Sequence, residues 1–227
     1  MKVTIIINNL NDGRFLAGLL ESIKAQDCDY FRVVGIDAGS TDDSLAVYER
    51  FGVPVVDCTG LNQAASVNKV AADQVDTEFF SWINPDDRYL PNFLSSHIKA
   101  FTEGVGVVHS DVLVRNAAGH DRHHSPRGMK ASVQDGQNYI MHPSTMIRHR
   151  CWENLGGFSE SFVYAFDFEF WIRAYLTDWK FAHVKEPTAV FCPRQDSLTG
   201  TKTDAIRAEI RRVQLGYELP TDRRYQP

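Results

Sequence analysis

Two adjacent carboxylates, Asp86 and Asp87, stand where the apolar run Phe79-Phe80-Ser81-Trp82-Ile83 gives way to Asn84-Pro85. A buried strand can hold charge at its end though not in its interior, and hard carboxylate oxygens presented there suit Mg2+ or Mn2+. A cation held by one or two carboxylates is also a usual way for a protein to grip a diphosphate. Read alone, the same tetrapeptide equally describes a solvated turn beside proline. No G-x-G-x-x-G follows the first apolar run and no G-x-x-x-x-G-K-[ST] occurs in the chain, so phosphates are not cradled by a glycine-rich backbone. Charge neutralisation then falls to a metal.

The elements around this pair alternate. Strands are expected over residues 3–8, 31–37, 53–56 and 78–84, and helices over 40–51 and 62–75, with Phe15, Leu16, Leu19, Leu20 and Ile23 spaced as one apolar helix face. Strands alternating with helices imply βαβ units, a mostly parallel central sheet flanked by helices, and ligands beyond the carboxyl ends of the strands. That rule gathers Asn8, Asp37 and residues 84–87 at one edge. In the second half, Leu90-Pro91-Asn92 opens a helix, and residues 105–114 read as a strand whose Asp111 either faces the cleft or caps a turn. Residues 115–137 are polar and His-rich and read as a long mobile loop near the acceptor. A strand over 140–147, a short helix over 150–155 closed by Gly156-Gly157, an aromatic-rich helix over 165–175 and a last strand region over 181–191 follow. Phe168, Phe170 and Trp171 fit core packing better than a sugar platform. From Thr203 a helix carries Arg207, Arg211 and Arg212.

Composition narrows the classes. With 227 residues, 43% hydrophobic and 23% charged, the chain suits one α/β domain. A net charge of -5 argues against nucleic acid as a partner. Cys28, Cys58, Cys151 and Cys192 have no paired C-x-x-C spacing, so reduced thiols in a cytoplasmic protein are expected. Met1-Lys2 leads straight into a strand and no apolar run is long enough to span a bilayer, which predicts at most peripheral contact with the inner membrane face. Among His120, His123 and His124, solvation is a simpler reading than metal binding.

Five segments in order carry a family resemblance: Asp37-Ala38-Gly39-Ser40-Thr41-Asp42, Asn84 through Pro91, His142-Pro143-Ser144, Gly156-Gly157-Phe158-Ser159-Glu160, and Asp167-Phe168-Glu169-Phe170-Trp171-Ile172-Arg173. Over roughly residues 3–200 the chain resembles the family 2 glycosyltransferases, inverting enzymes with the Rossmann-like A-type (GT-A) nucleotide-diphospho-sugar fold. The resemblance implies a transferase domain over 1–200, with a nucleotide-binding half over about 1–90 and an acceptor half over 91–200, followed by a C-terminal helix and tail over 201–227. It implies Mn2+ or Mg2+ on Asp87, with Asp86 on the metal or the ribose, and Asp167 as the base that takes the acceptor's proton. A helix N-terminus is expected to keep Asp167 ionised, though the same position also suits a carboxylate that serves only the helix dipole. His142, Asp111, Glu169 and Arg173 fall to acceptor-side or secondary roles. The partners implied are a nucleoside-diphosphate sugar donor and a glycan or lipid-linked acceptor, in polysaccharide or glycolipid synthesis. One base and one metal imply direct displacement with inversion.

Three positions depart from the family pattern. Leu10 stands where an aromatic surface for the nucleobase is common, and Ala38 where a carboxylate often meets the pyrimidine. Base contacts are therefore assigned to Asp37, Asn62, Asn68 or backbone, with Asn8 at the same edge. Arg194 replaces a His that often reaches the metal or diphosphate, and a guanidinium there would clamp the diphosphate rather than bind metal. These departures keep a second reading open, a catalytically impaired sugar-nucleotide or glycan-binding protein of the same fold. A nucleotidyltransferase would need a glycine-rich basic loop that residues 8–13 do not supply.

Overall fold

The computed structural model describes residues 2–194, 196 and 201–219; the tail beyond 219 lies outside the described residues. Strand β1 (Val3–Asn9) is buried on both faces, which is why it reads as a continuous run of β-branched residues. Its pleat sends Val3, Ile5 and Ile7 into one core and Ile6 into the other. Beside it lie β2 (Phe31–Asp37) and, on the other flank, β4 (Phe79–Ile83), with β3 (Val55–Asp57) outside β2; all four are parallel. The carboxyl ends of these strands therefore open on one edge.

Beyond β4 the sheet becomes mixed. Strand β8 (Thr145–Arg148) joins β4 antiparallel, then come β6 (Val105–Arg115), β9 (Lys180–Phe191) and the short β5 (Arg88–Tyr89), with β7 (Asp121–His124) paired to β6. Because β6 runs parallel to β9 over most of its length, most of the paired sheet is parallel. Helices cover both faces. On one side α1 (Gly13–Lys24), α2 (Ser44–Phe51) and α4 (Phe93–Ala100) bury Leu16, Leu19, Tyr48 and Phe93. On the other, α3 (Gln63–Gln74), α5 (Gly128–Asp135), α6 (His149–Asn154), α7 (Phe166–Leu176) and α8 (Thr203–Gly216) bury Val67, Met129, Trp152, Phe170 and Val213. Each such large apolar side chain stabilises the fold by about 1.5–3 kcal/mol.

Several expectations are corrected. Residues 115–137 are not a loop: Asn116 Oδ1 accepts from the backbone N–H groups of Ala118 and His120 to close a tight turn between β6 and β7, and α5 follows with Met129 and Ser132 buried. The strand expected over 140–147 shrinks to β8, because Pro143 sits in a 3-10 turn over His142–Ser144. Helix α2 begins at Ser44 rather than 40, since the Asp42 carboxylate binds the backbone N–H of Ser44 and of Gly13 and commits the preceding residues to a turn. Residues 88–89, for which no strand is expected from the sequence, form β5 on the far side of β9. Among the described residues no helix is long and apolar enough to cross a membrane.

Candidate active site

A cleft of about 560 Å3 opens at the carboxyl ends of β1, β4 and β9 and the start of α7. Asn8, Asn62, Asp86, Asp87, His142, Asp167 and Arg194 line it, so Asp87 and Asp167 share one cavity.

Asp87 lies at the floor, 1% exposed. Its Oδ1 accepts from the backbone N–H of Cys192 at 3.0 Å, while Oδ2 has no hydrogen-bond partner among the described residues. Burial, and then the charge of Asp86, push its carboxyl well above the usual range. His142 lies flat on Trp82, ring centroids 4.0 Å apart. Burial pushes the imidazole down to about 3, so it is neutral at physiological pH and its 3.7 Å approach to Asp87 Oδ2 is not an ion pair. Asp86 is raised by burial against the pull of Arg194, whose Nε lies 3.1 Å from Asp86 Oδ2. The same guanidinium donates to both Asp12 carboxylate oxygens at 3.1 and 3.2 Å and covers the Phe15 ring at 4.3 Å.

Asp167 opens to the cleft but is ringed by protein elsewhere. Its Oδ2 accepts from Asn138 Nδ2 at 3.0 Å and its Oδ1 from the backbone N–H of Phe168 at 2.7 Å. Burial outweighs both hydrogen bonds and pushes its carboxyl up to about 6, above the ordinary carboxylate range though still below neutral pH. The backbone leading into α7 is served by a different carboxylate, Glu209 of α8, which accepts from the N–H groups of Val163, Tyr164 and Ala165 at 2.7–2.9 Å. Glu209, Asn138 and Asp12 carried no sequence signal beyond ordinary polar residues, because each acts on a partner far along the chain.

Five expected site residues stand outside the cleft lining, each spent on scaffolding. Asp37 accepts from the backbone N–H groups of Gly39 and Ser40 and from Asn9, closing the turn after β2. Asn68 pins the Gly157-Phe158 turn through both amide atoms and Glu160. Arg173 holds the same turn by donating to the carbonyls of Leu155 and Gly157, with Glu169 paired to it at 2.8 Å and accepting from Tyr217 at 2.6 Å. Asp111 is buried between β6, β7 and β9; burial, which would raise it, is outweighed by hydrogen bonds from Ser125, His183 and His123, so its carboxyl stays below the usual range. Asn62 does line the cleft, though it also caps α3 at Ala65 and donates to the Glu160 carbonyl.

Among the described residues no group of three or more His, Cys, Asp or Glu side chains converges as a complete metal cage. The orphaned buried Oδ2 of Asp87 and Nε2 of His142 nevertheless fit a cation that takes its remaining ligands from a bound diphosphate or water.

The chain spans 16% to 58% of the length of the curated relatives it matches. It is 25% identical over 113 residues to a teichoic acid poly(glycerol phosphate) polymerase of Staphylococcus epidermidis, an alignment covering 47% of this chain and 16% of that one. Its fold matches that of S. aureus TarS 1–349 in complex with UDP-GlcNAc at a TM-score of 0.72 and 19% identity, over 97% of this chain and 68% of that one. It matches the mannosyltransferase PcManGT from Pyrobaculum calidifontis, in complex with GDP-Man and Mn2+, at 0.72 and 16% identity, over 93% and 64%. These likenesses establish the GT-A fold. The family model described as "Glycosyl transferase family 2" matches residues 4–167, from the first strand to the carboxylate that opens α7, and the chain belongs to that family.

Proposed function

We propose that this chain transfers a sugar from a nucleoside-diphosphate sugar to an acceptor hydroxyl, with inversion and with the help of Mn2+ or Mg2+. The observation that carries the reading is the shared cleft: Asp87 and Asp167 open on one cavity large enough for a donor. A divalent cation on Asp87 would offset the negative charge that develops on the departing diphosphate. Arg194 reaches the same region and can exchange its Asp86 contact for diphosphate oxygens, while Asp86 is left to the ribose or the cation. Asp167, with its carboxyl at about 6, is ionised at neutral pH yet close enough to it to accept the acceptor's proton efficiently. With Asp37 and Asn68 outside the cleft lining, Asn62 and backbone are the donor-side contacts that remain for the nucleobase, next to the exposed Leu10.

The neighbours with UDP-GlcNAc and with GDP-Man and Mn2+ support the donor class and the cation, and the teichoic acid relative supports a cell-surface polymer as acceptor at the inner membrane face. The donor half is assigned to residues 1–90 and the acceptor half to 91–200. A panel of sugar nucleotides with and without Mn2+ tests the reading. Turnover that needs metal and is lost in Asp167→Asn, with donor binding kept, is the expected result; wild-type turnover in that variant removes Asp167 from the role. Mn2+ with a nucleoside diphosphate should also raise the melting temperature of the wild type, by linkage worth about 2.7 kcal/mol at 100 times Kd, and Asp87→Ala should abolish the rise. A second reading, donor binding without transfer, is favoured by one observation: Arg194 already occupies the acidic pair Asp12 and Asp86. Binding across the panel with no turnover or hydrolysis would select it.

A further inference from the structure

The cleft floor holds two buried polar atoms side by side with nothing to bond. Asp87 Oδ2 and His142 Nε2 are 3.7 Å apart, on side chains 1% and 15% exposed, and neither has a hydrogen-bond partner among the described residues. That distance is too long for a hydrogen bond between them. Both groups are held rather than loose. Cys192 N–H fixes the other Asp87 oxygen at 3.0 Å, and the His142 ring is clamped on Trp82 with the two planes 2° apart. A carboxylate oxygen and an imidazole nitrogen are both ordinary metal ligands, and here both are left without a protein partner among the described residues. One cation placed between them would satisfy both at once.

The span agrees. Two metal–ligand bonds of about 2.1 Å reach across up to about 4.2 Å, so the 3.7 Å gap is within the span of one ion. Asp86, by contrast, has its carboxylate engaged by Arg194 at 3.1 Å, and Arg194 is in turn held by Asp12. We infer that His142 Nε2 and Asp87 Oδ2 together are the protein ligands of the cation, with Asp86 outside its coordination shell. The inference rests on the metal-assisted reading above and sharpens it, because a mixed nitrogen and oxygen pair selects Mn2+ over Mg2+, which prefers oxygen alone.

Pulsed EPR on the full chain with Mn2+, alone and with UDP or GDP, reads the ligands directly. The expected result is a 14N coupling from a directly bound imidazole in the wild type, lost in His142→Phe, which keeps a ring on Trp82, and in His142→Gln, which covers the case that the first variant does not fold. Mn2+ affinity should fall at least roughly tenfold in either variant while Mg2+ affinity changes little. Bound Mn2+ that depends on Asp87 yet shows no 14N coupling, or a coupling that persists in both His142 variants, overturns this inference and leaves metal-assisted transfer standing. If the wild type binds no Mn2+ with either nucleotide, both fail together.

Discussion

Asn138 Nδ2 donates to Asp167 Oδ2 at 3.0 Å, tying the loop after α5 to the carboxylate at the start of α7. The bond stabilises the charged form and opposes the burial that pushes Asp167 up to about 6. Removing it with Asn138→Ala should raise the carboxyl further. Activity of a general base is lost as pH falls through its pKa, so the acid limb of kcat/KM should move to higher pH in the variant. A charge-assisted hydrogen bond is worth about 1.5–3 kcal/mol, so the loss near pH 6 should be roughly tenfold, with little change on the alkaline side. A limb that stays in place would detach Asn138 from the base.

The same burial has a cost in stability. Asp167 has its folded-state pKa raised to about 6 from 3.8, so the folded chain holds a proton that the unfolded chain has released between those values. Stability is therefore lost as pH rises from about 4 through about 6, and the loss is complete above that. Asp167→Asn removes this slope. After a discount for the side of Asp167 that faces the cleft, the variant should gain about 1–2 kcal/mol on the wild type between pH 4 and pH 7. Melting temperatures of both proteins across that range, without nucleotide, measure the difference; parallel curves would show that the carboxyl titrates normally.

How much of this was legible depends on whether a signal is local. Strand β1 announces itself because every residue from Val3 to Ile7 is buried, and the parallel order of β1, β2 and β4 follows from the helices between them. Strand β7 and α5 escape notice because β7 carries mostly exposed polar residues and α5 buries only Met129, Ala131 and Ser132. Asp87, Asp167, His142 and Arg194 were placed by residue type and order, and they do meet in one cleft. Asp37 at the end of β2, Asp111 within β6 and Glu169 in the first turn of α7 are the same residue types, yet their oxygens are spent on turns, histidines and an arginine. Sequence cannot separate these cases, since a carboxylate aimed at a ligand and one that braces a loop differ only in what the distant chain brings to them.

Glu209 is the clearest instance, and it carries a prediction. It lies on α8, a helix whose surface is mostly polar, and its own side chain is buried with three backbone N–H groups on its two oxygens. Those groups belong to Val163, Tyr164 and Ala165, the residues that lead into Asp167, and Val163 and Tyr164 also line the cleft. In Glu209→Ala the donors lose their partner. An unsatisfied buried donor costs about 1–3 kcal/mol, and partial access to water relieves some of the three, so the loss should be about 2–4 kcal/mol. For a chain of this size that corresponds to a melting temperature lower by roughly 5–15 °C. Glu209→Gln keeps one acceptor and should lose about half as much. Turnover should fall in both variants even at temperatures where they remain folded, because the entry to α7 then holds Asp167 less firmly. A Glu209→Ala variant with wild-type melting and wild-type kcat would show that α8 is not what sets the position of the base.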